Sequence, residues 1–353
     1  MIKNQEKKGK SVMYNQRTSN IELLRIIAML MVVLGHYYLK GGFPDDSLMN
    51  PSKLLLQFFG AWSKIAVDIF VIISGYFLVT QEFRWRKLVK FFSCTYFWSL
   101  GTLAFALFIL NLDVSKSVVV KALNPFTPLN WFARAYLILY IIFPALNKLI
   151  NRISKRKLAV IISIMTTIFY IVPTIKGISL GGYLNSLFMF TDMYFIGAYI
   201  RLYINQEFER TIEFMGGTSA AIFFLAILIF DYLGRYDSYY INKEHIMKFA
   251  FVGCNIFGLL ISISIFVWFK NLQLSYNKYI NMMASTTFAV YLIHDNGLIS
   301  GWLWNNLIRA YRVYDTVWLI PHMLLTAICI FVCCTLLEYV RIMAVEKPLM
   351  KRM

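Results

Sequence analysis

Apolar runs long enough to cross a membrane recur from one end of the chain to the other, and they exclude most folds before any motif is considered. They lie at 22–39, 60–79, 88–110, 130–150, 157–174, 183–203, 215–233, 246–269, 280–300 and 316–342. About 20 apolar residues in a helix match the hydrocarbon thickness of a bilayer. A helix also satisfies its own backbone where water is absent. A membrane β-barrel would show alternating segments of about ten residues instead, and these runs do not alternate. The 353 residues are 59% hydrophobic and only 15% charged. A soluble core, which stops growing at about 250–300 residues, cannot enclose that much apolar surface. The expected fold is an all-α integral membrane protein with ten transmembrane helices, a multi-pass protein of the cell membrane whose surroundings are the lipid bilayer.

The formal net charge of +17 sits in short segments between the runs. It forms no basic stripe on a soluble domain, so nucleic acid is not an expected partner. Alternate connections are rich in Lys and Arg. One carries Arg84, Arg86, Lys87 and Lys90, the next Lys148, Arg152, Lys155, Arg156 and Lys157. Arg201 and Arg210, Lys270 and Lys278, and the C-terminal Arg341, Lys347, Lys351 and Arg352 fall on the same side as the N-terminal tail. Basic loops stay inside, so both termini are expected in the cytoplasm. Residues 1–20 read as a disordered polar tail, 21–345 as a single polytopic domain and 346–353 as a second tail. The first run has no small-residue cleavage site and reads as a retained span. Cys94, Cys254, Cys329, Cys333 and Cys334 lie inside apolar runs. They read as buried small hydrophobes, with neither a disulfide framework nor zinc spacing, and no metal is expected.

Ionisable groups inside spans are costly and mark pathways or sites. The first span holds Glu22, Arg25 and His36. Arg25 and His36 are about three turns apart, on nearly one face and roughly 16 Å from each other. Glu22 is placed to pair with Arg25. Read blandly, Glu22 and Arg25 are interfacial anchors and His36 ends the helix. Asp68 stands alone in the second span and needs an Arg or His partner, and Ser74-Gly75 beyond it permits close helix approach. Arg84-Trp85-Arg86-Lys87 is either a topology anchor or a phosphate site, since Arg binds phosphate bidentately. Trp131 and Tyr136 open the fourth span as an aromatic belt. Tyr291 and His294 lie near the outer end of the ninth, with Asp192 and Gly197 in the sixth. His294 and Asp295 are neighbours, but adjacent helical residues do not face each other.

In order, Glu22-Leu-Leu-Arg25, ten residues, His36; Val67-Asp68-Ile-Phe; Ser74-Gly75-Tyr76-Phe77-Leu78; Arg84-Trp-Arg86; Trp131; Phe195-Ile-Gly197; and Tyr291-Leu-Ile-His294 resemble the membrane acyltransferase-3 family over nearly the whole chain. Two features depart from it. The family often has Asp-Gly-Leu-Arg-Gly where this chain has Glu22-Leu-Leu-Arg25-Ile26, and no extracytoplasmic hydrolase-like domain follows the last span.

The resemblance implies an O-acyltransferase that moves an acetyl group from cytoplasmic acetyl-CoA to a hydroxyl of a cell-envelope glycan or exopolysaccharide, in a bacterial cytoplasmic membrane. It implies His36 as general base or transient acyl carrier, with Glu22 and Arg25 shaping the donor path and Asp68 orienting a catalytic group. Arg84, Arg86, Lys87 and Ser74 would bind the cofactor, and Trp131, Tyr136, Tyr291 and His294 the substrate. A competing reading is a transporter or flippase for a lipid-linked saccharide, which would show paired, Gly/Pro-broken helices in two halves. A third is an inactive sensor with the same fold, against which the intact His36 weighs.

Overall fold

The computed structural model describes residues 19–44, 50–124, 130–176, 183–233 and 255–352. Among them every regular element is a helix, and no strand is present. The helices of seven residues or more are α1 (Ser19–Lys40), α2 (Pro51–Leu78), α3 (Trp85–Ala104), α4 (Lys116–Leu123), α5 (Trp131–Arg152), α6 (Lys155–Thr166), α7 (Tyr183–Tyr203), α8 (Gln206–Leu233), α9 (Ile256–Asn271), α10 (Lys278–Ala284), α11 (Thr287–His294) and α12 (Leu319–Arg341). Wider π-helical turns extend α3, α6 and α12, over Phe105–Ile109, Thr167–Ile171 and Ile342–Glu346.

Polar side chains start several of these helices. Asn50 accepts from the Ser52 amide ahead of Pro51, and Asn255 accepts from Gly258 N. Asn277 takes the Tyr279 and Ile280 amides. Each satisfies amide donors that the first turn leaves unpaired.

Seven helices, among the described residues, are long and apolar enough to cross a membrane: α1, α2, α5, α8, and α3, α6 and α12 with their extensions. The chain is a multi-pass membrane protein. Three of the ten expected runs look different. The run at 183–203 is the single helix α7, most of it buried between neighbours. Residues 246–254 of the eighth run lie outside the described residues, and α9 covers the rest. The run at 280–300 is broken. Its helix stops at Ala284 and restarts at Thr287. At the break the Ser285 and Thr286 amides tighten to i→i−3 bonds with the Met282 and Met283 carbonyls, at 3.2 and 3.1 Å, and their hydroxyls bond the same carbonyls at 2.6 and 2.8 Å. Such breaks are tolerated at membrane depth where they line a cavity, as Ala284, Ser285 and Thr287 do.

Helices α1, α2 and α7 form the packed centre. A Cβ on Gly75 would stand 2.3 Å from the Tyr194 carbonyl, and one on Gly197 the same distance from the Ile72 carbonyl. Helices α2 and α7 therefore touch backbone to backbone, the role small residues take in membranes. Outer helices such as α8 expose Ile222, Leu225 and Ile229, an apolar face suited to lipid. Cys329 and Cys333 also face outward, while Cys94 and Cys334 are buried; both faces of α12 are apolar, and sequence alone could not say which one packs. Cys254 lies outside the described residues.

Two boundaries move. Ser19 and Asn20 belong to α1 and are buried. Ser19 bonds Asn281 at 2.9 Å and receives the Asn277 amide at 2.7 Å, and Asn20 donates to the Lys270 carbonyl. At the other end the helix runs on to Arg352, past the expected boundary at 346.

Candidate active site

A cavity of about 850 Å³ opens between α1, α2, α3, α5, α11 and α12. Arg25 lines one end and His36 the other, with Met29 and Val32 between them on the same face of α1. That one stripe of α1 faces the cavity fixes its length at roughly 16 Å or more.

At the histidine end the ring of His36 meets His294, with Nδ1 of the first 2.9 Å from Nε2 of the second. His294 in turn has Nδ1 2.6 Å from the Val290 carbonyl, one turn back on α11. A carbonyl only accepts, so His294 carries its proton on Nδ1. In the neutral ring Nε2 is then a lone pair. The bond between the rings must therefore be donated by His36 Nδ1, which leaves His36 Nε2 as the unprotonated nitrogen. Asp295 Oδ1 is 3.8 Å from that atom and ion-paired to Lys40, which also donates to Ser300 at 2.9 Å.

His294 and Asp295 both reach His36 although they are adjacent in sequence. Helix α11 ends at His294, and Asp295 has left helical geometry. A helix end thus joins two neighbours that a continuing helix would hold apart. Helix α1 runs on four residues past His36 to Lys40, so His36 is interior to its helix.

An aromatic series links the two ends. Phe288 stacks on Phe91 at 5.0 Å, Phe91 on Tyr136 at 5.9 Å, and Tyr136 on Phe132 at 5.9 Å. Phe132 meets Tyr291 edge-on at 5.7 Å, and Tyr291 meets His294 at 6.3 Å. Trp131 packs beside Phe132, and Ser74 Oγ lies 3.2 Å from the Tyr136 hydroxyl.

At the basic end stand Arg25, Lys90 and Arg341, with Glu338 and Glu346. Arg25 pairs with Glu22 at 3.2 Å. Arg341 is buried and binds both oxygens of Glu338 at 2.7 Å, and Trp98 donates to the same carboxylate at 2.7 Å.

Of the residues singled out in the sequence, Arg25, His36, Ser74, Trp131, Tyr136 and Tyr291 line this one cavity, and His294 backs it. Asp68 is buried behind the wall. Its partner is Lys64, at 2.8 Å on its own helix, where an Arg or His was expected, and it is Lys64 that faces the cavity. Arg84, Arg86 and Lys87 are exposed at the start of α3 and do not line it. Lys90, one turn on, does. Residues the sequence reading passed over are Lys40, Lys64, Glu338 and Glu346, with Phe91 and Phe288. The spacing of Glu338 and Arg341 inside a span was a usable signal, since i,i+3 pairs meet on a helix. Among the described residues no three His, Cys, Asp or Glu side chains are grouped to hold a metal ion.

An acyltransferase domain model of the acyltransferase-3 family matches residues 18–339. The chain belongs to the acyltransferase-3 family. The matched span includes every residue of the cavity except Arg341, Ile342 and Glu346. No curated protein and no solved structure matches the chain. As an acyltransferase-3 protein it is a membrane acyltransferase, and its cavity has a pair of histidines at one end and cations at the other.

Proposed function

We propose that this acyltransferase moves an acetyl group from cytoplasmic acetyl-CoA to a hydroxyl of an envelope glycan or exopolysaccharide, with both termini and the basic end of the cavity facing the cytoplasm. The Lys/Arg bias of the loops supports that orientation. The cations at the basic end suit a phosphorylated donor, and the apolar aromatic wall suits an acyl-thioester arm. Arg84 and Arg86, exposed at the start of α3, suit capture of phosphate outside the mouth.

The observation that carries the reading is the lone pair on His36 Nε2. The acceptor hydroxyl gives its proton to this atom as its oxygen attacks the thioester carbonyl. The C–S bond breaks, the C–O bond remains, and the thiolate leaves with the proton that His36 gives up. Asp295 lies where it offsets the charge of the protonated ring, and Lys40 holds Asp295 in place. Lys64, whose charge faces the cavity, suits the oxyanion formed during attack. Glu22 keeps Arg25 aimed along the donor path, and Asp68 does the same for Lys64.

The test is mass spectrometry of envelope polysaccharide from cells with and without the gene, paired with transfer from radiolabelled acetyl-CoA in proteoliposomes. Loss of glycan acetyl groups is expected when the gene is removed. Unchanged acetylation together with movement of an unmodified lipid-linked saccharide would sink the reading in favour of transport.

A further inference from the structure

The two carboxylates at the basic end are held very differently. Glu338 is buried on α12, gripped by Nε and Nη2 of Arg341 and by Trp98. Glu346 reaches back from beyond the end of α12. Its Oε2 lies 2.6 Å from Arg341, and its Oε1 2.9 Å from Lys90 across the cavity on α3.

That second contact depends on local backbone geometry. Residues 341 and 346 are five apart. In an α-helix five residues turn through about 500°, which leaves the two side chains about 140° apart. The segment Ile342–Glu346 is π-helical, with i→i+5 pairing that brings such residues to the same face. Such turns are rare and occur often at functional sites. Glu338 already satisfies Arg341 with two bonds, so the Glu346 bond is the one that can exchange. Lys90, with half its side chain exposed, is a flexible partner.

We propose that Lys90 and Arg341 form a phosphate subsite at the basic end of the cavity, and that Glu346 is its built-in occupant, displaced when a phosphate of the acyl donor enters. This rests on the acyl-CoA reading above. With the site empty, Glu346 neutralises cations that a low-dielectric wall would otherwise leave exposed to each other. A phosphate brings more charge and more acceptor oxygens than a carboxylate. On its arrival the π turn relaxes towards α geometry and carries Glu346 off the axis of Arg341. An anion of single charge gains little by the exchange, so the site selects for phosphate.

The test uses the full-length protein in phosphatidylcholine nanodiscs, titrated by calorimetry with coenzyme A and separately with inorganic phosphate. Glu346→Gln removes the charge. Glu346→Asp keeps it on a stem too short to reach both cations. Both are expected to tighten coenzyme A binding about fivefold, the upper range for a partly exposed ion pair, and Lys90→Gln to weaken it by a similar factor. If both Glu346 variants bind like the wild type, Glu346 is a brace and the proposal is wrong. If Gln tightens binding and Asp does not, the effect is a diffuse charge field and displacement is wrong. If phosphatidylglycerol added to the discs competes with coenzyme A, the subsite belongs to a lipid headgroup and the donor assignment is overturned. Should no form bind coenzyme A, the acyl-CoA reading fails on its own. Inorganic phosphate then decides the subsite: binding gained in Glu346→Gln supports it, and none overturns it.

Discussion

At the histidine end of the cavity, the chain from the Val290 carbonyl through His294 to His36 is made of hydrogen bonds between neutral groups. At the basic end, Arg341 lies between two carboxylates, one of which also binds Lys90. The first arrangement has a direction: each acceptor fixes the protonation of the next ring, and no link can be swapped without moving the lone pair on His36. The second is held by charge, which an incoming anion of higher charge can satisfy in its place. A transferase needs both kinds, an end that stays the same through every cycle and an end that lets a charged donor in and out.

Breaking the fixed end has the largest expected effect. His36→Ala should lower acetyl transfer in proteoliposomes by about 10²–10⁴-fold, the range for a lost general base. Coenzyme A binding to the same variant, measured by calorimetry, should hold. If transfer survives, the base lies elsewhere.

His294→Ala leaves His36 in place but frees its tautomer. The expected loss of transfer is about 10–100-fold, as for groups that orient a functional imidazole. His294→Gln supplies an acceptor oxygen where Nε2 was, so it should recover part of that loss in the same assay. Equal defects in the two variants would assign His294 to packing alone.

The exchangeable end should respond in binding more than in turnover. Arg84→Ala with Arg86→Ala is expected to raise the KM for acetyl-CoA about fivefold with little change in kcat, since both side chains are exposed and exposed charges contribute about 1 kcal/mol or less. A fall in kcat with KM unchanged would place them nearer the chemistry than the cavity wall suggests.

The smallest perturbation tests which end faces which compartment. Single cysteines at Ser154 and Ser115, both on exposed connections, should label from opposite sides in intact cells, Ser154 from the cytoplasm. Labelling of both from outside would reverse the assignment of donor and acceptor ends.

Much of this was legible in sequence because it depends on helical periodicity. The stripe from Arg25 to His36 needs only 3.6 residues per turn, and α1 carries it as expected. Other parts depend on departures from periodicity. The meeting of His294 and Asp295 with His36 requires a helix that ends inside the run at 280–300, where Asn296-Gly297 is a turn signal that the apolar residues on either side mask. The reach of Glu346 to Arg341 requires a π turn, which no local spacing indicates. Asp68 shows a third limit. An unpaired charge in a span demands a partner, and Lys64, one turn earlier inside the same run, supplies it where an Arg or His was expected. The donor residues were read from the Arg-x-Arg pair; the wall of the cavity instead takes its cation from Lys90, one turn further into the helix.

The buried Ser19 also has a consequence in time. Its hydroxyl is tied to Asn277 and Asn281, so the first transmembrane helix is seated by a segment made more than 250 residues later. At ribosomal rates of about 5–20 residues per second, that interval is on the order of tens of seconds. Through it α1 waits in the bilayer with Glu22, Arg25 and His36 lacking the late helices that enclose them. The nascent chain thus holds this charged span in the membrane longest before closure, and insertion factors that shelter such a helix have the most to do at the very start of synthesis.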